Sequence, residues 1–243
     1  MKTSVKLICM AVLAIAVSCA KTPSASDGKV SFRLSEDYTL VDVTKSNVTD
    51  YTTLPDASAF TLIIRDAESV EFWKGNISDW DAETRIPAGA YTATATFGSL
   101  EDEGFDKPYF EGEQTFTVAG DQTSEVTVPV VLGNTVIRVE CTEAFRNYFK
   151  EYAFSLVRGN VELAKFNKGE DKAAFVDAYN LSINGTFTNE VGQASKISQE
   201  LTGLAPTKAY TCLFDVDAVG GKTITLHFND TVETIDLGDI ELN

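Results

Sequence analysis

The sequence is poor in the side chains on which most enzyme sites depend. Its 243 residues include a single histidine, His227. Residues 223–228 alternate polar and apolar side chains, which predicts a strand with His227 on its solvent-facing side. No serine lies in a Gly-x-Ser-x-Gly elbow, and neither a glycine-rich phosphate loop nor a His/Cys metal spacing occurs. Because a Ser-His-Asp or Cys-His site would need this one histidine, we expect a protein that is not an enzyme.

Positive charge is also scarce. The 20 Lys and Arg residues are outnumbered by 36 Asp and Glu residues, which gives a net charge of −16. Nucleic acids and anionic bilayer surfaces are bound by clusters of Lys and Arg. The composition therefore predicts no nucleic-acid partner, and the acidity is typical of a soluble, exposed protein.

Long apolar runs are missing as well. The apolar run at residues 7–17 has 11 residues, whereas a membrane-spanning helix needs about 20. It follows Lys2 and Lys6, and this arrangement predicts a signal peptide. The run ends in Ala16-Val17-Ser18-Cys19, which resembles the lipobox of bacterial lipoproteins. The alternative is an ordinary secretory signal with a chance cysteine.

The lipobox interpretation predicts a permanent lipid anchor. Residues 1–18 would be removed, and Cys19 would become the acylated N-terminus, carrying palmitate-type chains that hold the protein to the membrane. Residues 19–28 are small and polar and predict a flexible tether with a reach of about 30 Å. We expect the mature protein in the bacterial cell envelope, at the outer membrane, facing either the periplasm or the surface.

Only two cysteines belong to the mature body. Cys141 and Cys212 each lie in an apolar segment, so they are either two buried thiols or, in an oxidising compartment, a disulfide. The sequence does not decide between these alternatives, because bridging depends on the distance between the two Cα atoms.

The mature chain is dominated by alternating segments separated by turn residues, which predicts an all-β sandwich or barrel. A short amphipathic helix is predicted at residues 142–152, with Thr142 as its N-cap, and a second at 171–178. The pattern restarts near Gly133, which predicts two domains, 29–133 and 134–243. The predicted strands are 30–34, 60–65, 91–97, 110–118, 126–132, 135–141, 181–187, 209–216, 222–228 and 233–242.

The sequence resembles an uncharacterised family of lipoproteins from Gram-negative gut anaerobes, fimbrillin-like in style. The resemblance is carried by residues 28–34 (Gly-Lys-Val-Ser-Phe-Arg-Leu), 86–91 (Ile-Pro-Ala-Gly-Ala-Tyr), 107–112 (Lys-Pro-Tyr-Phe-Glu-Gly), 132–136 (Leu-Gly-Asn-Thr-Val) and the aromatic helix 145–152. It implies two tandem antiparallel β-sandwich domains of the immunoglobulin or transthyretin-like type, with the short helix in the second. It also implies a non-catalytic structural or adhesion module that contacts other envelope proteins.

Two groups of residues are candidate binding sites. Trp73 and Trp80 flank a polar segment and could form a sugar-binding platform, with Tyr109 as a second aromatic candidate; the other interpretation is that the tryptophans pack on the core. This platform is the basis of our alternative function, a glycan-binding accessory lipoprotein. The acidic loop could bind calcium or be a solvated hairpin loop, and its carboxylates are Glu101, Asp102, Glu103 and Asp106. No other cofactor is expected. Thr231 lies in Asp-Thr-Val, which resembles a bacterial O-glycosylation motif.

Overall fold

The computed structural model describes residues 26–36, 47–216, 223–228 and 231–236. The predicted signal peptide, Cys19 and most of the tether lie outside these residues. The described residues form strands, three short 3-10 turns and one α-helix, so the predicted all-β class is confirmed. No helix among them is long and apolar enough to cross a membrane.

The N-terminal half, residues 26–133, contributes eight strands. They are Gly28–Glu36 (β1), Thr61–Asp66 (β2), Glu71–Asn76 (β3), Arg85–Ile86 (β4), Gly89–Phe97 (β5), Gly104–Phe105 (β6), Phe110–Val118 (β7) and Thr123–Leu132 (β8). The 3-10 turns are Val48–Asp50, Ala57–Ala59 and Ile77–Asp79. In β5 the inward positions Tyr91, Ala93 and Ala95 are buried and the intervening threonines are half-buried, as the alternation predicts.

Seven of these strands form one sheet, in the order β3-β2-β5-β7-β8-β1-β4. Its two ends share one buried cluster, in which Ile64 of β2 and Ala93 of β5 lie with Val30 of β1 and Val128 of β8. The sheet therefore folds over on itself as a sandwich.

The fold-over lies at the β7–β8 corner. These strands pair at Phe110–Leu132 and Glu111–Val131. Pro129 lies in β8, which stands between β7 and β1 in the sheet, and it is paired with Ser35 of β1. The proline is accommodated because it lies beyond the two residues through which β8 pairs with β7.

The C-terminal half, residues 134–236, contributes nine strands and a helix. They are Thr135–Cys141 (β9), Glu143–Tyr148 (α1), Phe149–Arg158 (β10), Val161–Asn167 (β11), Ala174–Val176 (β12), Leu181–Asn189 (β13), Ala194–Leu201 (β14), Ala209–Val216 (β15), Thr223–Phe228 (β16) and Thr231–Asp236 (β17). A four-stranded sheet, β11-β10-β13-β14, faces a six-stranded sheet, β17-β16-β15-β9-β12-β6, across a second core. Most pairs are antiparallel as expected, but β1–β8 and β9–β15 are parallel.

The first predicted helix is confirmed at its start and is shorter than expected. The Thr142 hydroxyl accepts a hydrogen bond from the Phe145 N–H at 3.1 Å, so Thr142 is the N-cap. The helix ends at Tyr148, because Phe149 takes an extended conformation and pairs with Asn189 of β13. This change of structure lets both Phe145 and Phe149 enter the core.

The second predicted helix, 171–178, is wrong. Residues 174–176 form β12, which lies between β9 and β6. Ala174 and Val176 point into the C-terminal core, whereas Ala173 and Phe175 join the N-terminal core. Only an extended segment sends alternate side chains into two cores on opposite sides.

Most residues of the N-terminal core precede residue 133, and most residues of the C-terminal core follow it. There are two kinds of exception. Val136, Ala173 and Phe175 from the C-terminal half complete the N-terminal core. In the other direction, β6 from the N-terminal half pairs with β12 and ends the six-stranded sheet. The halves are thus joined by a strand as well as by apolar contacts, and the division into domains at 133/134 remains a prediction.

Candidate functional site

Trp73 and Trp80 do not form the predicted platform. Their ring planes stand at 79° with centroids 5.2 Å apart, and the second ring also meets Phe32 edge-on. Stacking against a sugar requires an open ring face, but both side chains pack against the N-terminal core. The geometry therefore favours the interpretation in which the two tryptophans pack on the core.

Local structure explains these orientations. Trp73 lies opposite Ile64 of β2, and its ring folds over Gly75, where an added Cβ would come within 2.9 Å of the ring. The turn after β3 then places Trp80 so that its indole N–H donates to the Val30 carbonyl at 2.8 Å. The contact between Trp73 and Trp80 and the hydrogen bond from Trp80 to Val30 therefore link β3 to β1, which lie toward opposite ends of the seven-stranded sheet.

Tyr109 lies elsewhere, at the junction between the halves. Its hydroxyl donates to Glu111 at 2.9 Å, and its backbone N–H donates to the side chain of the buried Asn134. Burial and the neighbouring Glu111 carboxylate raise the pKa of Tyr109 to about 12. This arrangement ties the chain before β7 to the linker between the halves.

The four carboxylates of the acidic loop do not converge. Glu103 is turned inward and pairs with Arg158, while Asp106 pairs with Lys172. Glu101 and Asp102 point into solvent. Within the described ranges, no group of three or more His, Cys, Asp or Glu side chains is placed to hold a metal ion. The loop instead leads into β6, which pairs with β12 of the C-terminal half. There the ring of Phe105 packs edge-on against the ring of Phe166.

Cys141 and Cys212 are free thiols, so the disulfide alternative is wrong in this structure. They lie on the adjacent parallel strands β9 and β15, but Cys212 pairs with Val139 and Cys141 pairs with Phe214, which makes the thiols diagonal neighbours. Burial raises the pKa of each thiol to about 12. Both are therefore protonated and unreactive at neutral pH.

Two further positions were singled out from the sequence. His227 is half-buried between the buried Leu226 and Phe228, as the alternation predicts. Thr231 is the first residue of β17, the edge strand of the six-stranded sheet. Its glycosylation remains a prediction.

The structure also contains a groove that sequence reasoning missed. A hollow of about 300 Å³ runs beside Val139 and Cys141 of β9. Its walls are aromatic and charged: Arg138, Glu140, Arg146, Tyr152, Phe154, Phe166, Asn167, Gly169, Glu170 and Asp171. The sequence gives no signal for it, because these residues come from separate elements that meet only in the folded sandwich.

The cations of the groove already have partners. Arg138 pairs with Glu140, and its guanidinium carbon lies 5.8 Å from the centre of the Tyr51 ring. Arg146 donates to the Cys141 carbonyl at 2.6 Å. Burial raises the pKa of Tyr152, so its hydroxyl stays protonated at neutral pH. The groove can offer hydrogen bonds and aromatic surface, but it contains no nucleophile paired with a base.

Open strand edges are the other candidate interaction surface. Among the described strands, the sheets end at β3, β11, β14 and β17, each six to eight residues long, and at the two-residue strands β4 and β6. Exposed apolar side chains lie at or near three of the long edges: Val70 and Phe72 by β3, Val161 on β11 and Val191 before β14. Unpaired edges of this kind can accept a strand from another chain.

Comparison with known proteins gives a family and a set of distant structural likenesses. The family model described as "Domain of unknown function (DUF4493)" matches residues 26–243. The search of curated proteins gave no match.

Solved structures with a similar fold include three bacterial proteins. A candidate cell adhesion protein from Bacteroides eggerthii has 12% identity and a TM-score of 0.49, covering 88% of this chain and 97% of that one. Candidate polysaccharide-binding proteins from Bacteroides thetaiotaomicron have 10% identity and a TM-score of 0.48, covering 86% and 98%. The fimbrial anchor protein Mfa2 from Porphyromonas gingivalis has 8% identity and a TM-score of 0.39, covering 86% and 98%. Such values are too low to carry these proteins' roles over to this chain.

Proposed function

The chain belongs to the DUF4493 family, and from that premise we propose that it is a lipoprotein of the bacterial cell envelope. Cys19 anchors it by its acyl chains, most simply to the outer membrane. The folded body is a non-catalytic adhesion or structural module, which meets other envelope proteins through its surfaces.

The observation that carries the proposal is the position of Cys19. It closes a signal-type apolar segment, and the first strand begins at Gly28. The short stretch between them reaches about 30 Å when extended. A body anchored this way is held beside the membrane with its surfaces free, which suits a module that presents binding surfaces.

The anchor is tested by fractionating cells that express three versions of the full chain. We expect wild-type protein in the membrane fraction and Cys19→Ala protein in the soluble envelope fraction. Cys141→Ala is the matched control, because it removes a cysteine from the body and leaves the lipobox intact. A wild-type protein that is soluble after signal cleavage would exclude the anchor.

The adhesion role needs its own test, in two measurements. Protease added to intact cells should cleave the body if it faces outward, and crosslinking followed by purification should recover it with other envelope proteins. A protein that is protected from protease and is purified as an uncrosslinked monomer would remove the support for adhesion while leaving the anchor intact.

A further inference from the structure

The groove in the C-terminal half runs along the part of β9 that has a neighbouring strand on one side only. On one side, β9 pairs with β15 along its length. On the other side it pairs with β12, and that ladder ends at Ile137, opposite Ala174. Among the described residues, no strand continues the ladder beside residues 138–141.

The direction of the free backbone groups follows from two hydrogen bonds. Val136 donates its N–H to Lys208 and Thr142 donates its N–H to Phe214, both toward β15. Because N–H directions alternate along a strand, Val139 and Cys141 point the other way, into the groove. The Cys141 carbonyl accepts from Arg146. Within the described part of the chain, no hydrogen bond is formed by the N–H or C=O of Val139 or by the N–H of Cys141. These are the backbone groups that an added strand would use.

The walls suit the side chains of such a strand. Phe154 and Phe166 form a buried aromatic floor, and Tyr152 stands beside them. The segment between β11 and β12, with Gly169 and Asp171, forms the opposite wall. An apolar side chain from an extended peptide would be covered by the two phenylalanines.

Charge identifies the kind of segment. The nearby cations are engaged: Arg138 by Glu140, and Lys172 by Asp106. Lys168 donates to the Lys150 carbonyl at 2.5 Å. Glu170 accepts hydrogen bonds from the backbone N–H groups of Asp171 and Lys172 at 3.1 and 3.0 Å, but within the described part of the chain neither Glu170 nor Asp171 forms an ion pair with a Lys or Arg side chain. This end of the groove is acidic and lies on a protein of net charge −16, so a basic segment of a different protein complements it better than a second acidic copy does.

We propose that this groove binds an extended segment of another protein, which adds as a strand beside Val139. The segment places an apolar side chain over Phe154 and Phe166 and a Lys or Arg beside Glu170 and Asp171. This inference deepens the proposed interaction role and rests on it. It does not depend on the anchor, because the groove belongs to the folded body.

The test measures the binding of labelled peptides to the chain, purified from whichever cell fraction holds it. The probe is an acetylated, amidated heptapeptide of alternating valine and lysine. One control peptide has glutamate for lysine, and another has alternate amides N-methylated along one edge. We expect only the unmodified basic peptide to bind, because the others lose the charge match or the main-chain pairing.

Variants of the protein locate the site. Asp171→Lys should weaken binding roughly fivefold or more, and Asp102→Lys, an equal charge change on a distant exposed loop, should leave it unchanged. Amide exchange at Val139 and Cys141 should slow when the basic peptide is bound. Equal weakening by both variants, equal binding of the N-methylated peptide, or no binding at all would overturn the inference. Concentration-dependent self-association that blocks the peptide would replace it with a second copy as the occupant. None of these outcomes affects the fractionation of the Cys19 variants.

Discussion

Arg158 of β10 holds Glu103, from the loop before β6, in a two-pronged ion pair. Its Nη2 lies 2.9 Å from Glu103 Oε1, and its Nη1 contacts the other carboxylate oxygen. The same Oε1 accepts from the Asp177 N–H at 2.8 Å. The Glu103 side chain is only 8% exposed. This pair joins the two halves of the chain at the point where one half adds a strand to the other.

Removing this carboxylate should loosen the junction. Glu103→Ala leaves the Asp177 N–H without its acceptor and the Arg158 charge without its counterion, although Arg158 keeps its hydrogen bonds to the Tyr179 and Asp177 carbonyls. We expect the free energy of unfolding to fall by roughly 2–4 kcal/mol. Urea unfolding measures the loss. Glu101→Ala, two residues away and exposed, serves as the control and should leave the stability unchanged. Equal stability of the two variants would show that the clamp contributes nothing.

The tryptophan corner should behave as a structural contact. Trp80→Phe keeps an aromatic ring but loses the bond to the Val30 carbonyl, which should cost about 1 kcal/mol of stability. Trp80→Ala also loses the edge contacts with Trp73 and Phe32 and should cost roughly 2–3 kcal/mol. Thermal unfolding checks both values. If Trp80→Ala kept full stability and instead abolished binding on a glycan array, the sugar platform would be restored.

The β7–β8 corner depends on a glycine. A Cβ at Gly112 would lie 1.9 Å from the Pro129 carbonyl oxygen. Gly112→Ala must therefore push the strands apart, and we expect a loss of roughly 2 kcal/mol or more. Gly89→Ala is the matched control, because a Cβ there meets only the Tyr91 ring at an ordinary 3.7 Å. Similar urea midpoints for the two variants would contradict the claim that the β7–β8 corner has no room for a side chain at position 112.

Both body thiols should be free in the purified protein. We expect mass spectrometry to find Cys141 and Cys212 alkylated after denaturation without reductant, and unmodified when native protein meets the reagent at neutral pH. A denatured chain that takes up label only after reduction would show that the two pair in the cell.

The same thiols make stability depend on alkaline pH. An unfolded cysteine ionises near pH 9, whereas burial holds the pKa of Cys212 at about 12 in the folded protein. Between these values unfolding releases a proton, so the contribution of Cys212 to the free energy of unfolding is fully present below about pH 8 and is lost as the pH rises toward the folded-state pKa. Urea midpoints at pH 8 and pH 10.5 measure the fall, and Cys212→Ala should show a smaller one. A fall of equal size in both proteins would assign it to other groups.

Local patterns predicted much of the fold. The alternation in β5 gave its buried face, and Thr142 was identified as the cap of α1, because both depend on neighbours in sequence. Seven strands were not predicted: β3, β4, β6, β10, β11, β12 and β14. In β10, the aromatic residues from Phe149 onward fit a helical spacing as well as a strand, and pairing with β13 decides between them.

Contacts between distant residues could not be predicted. Residues 174–176 become a strand because β9 and β6 lie on either side of them, and β6 comes from the other half of the chain. Trp80 is turned inward by a carbonyl 50 positions away. The groove beside Val139 exists because a three-residue strand ends opposite Ile137.

The lipid on Cys19 is the central claim, and mass spectrometry of the N-terminal peptide tests it most directly. The protein should be purified in detergent from cells that express the full chain and digested with a protease. The account predicts a mature chain that begins at Cys19 and carries a diacylglycerol group on its sulfur, with or without an acyl group on its amine. An N-terminal peptide that begins at any other residue, or an unmodified Cys19 thiol, would contradict it.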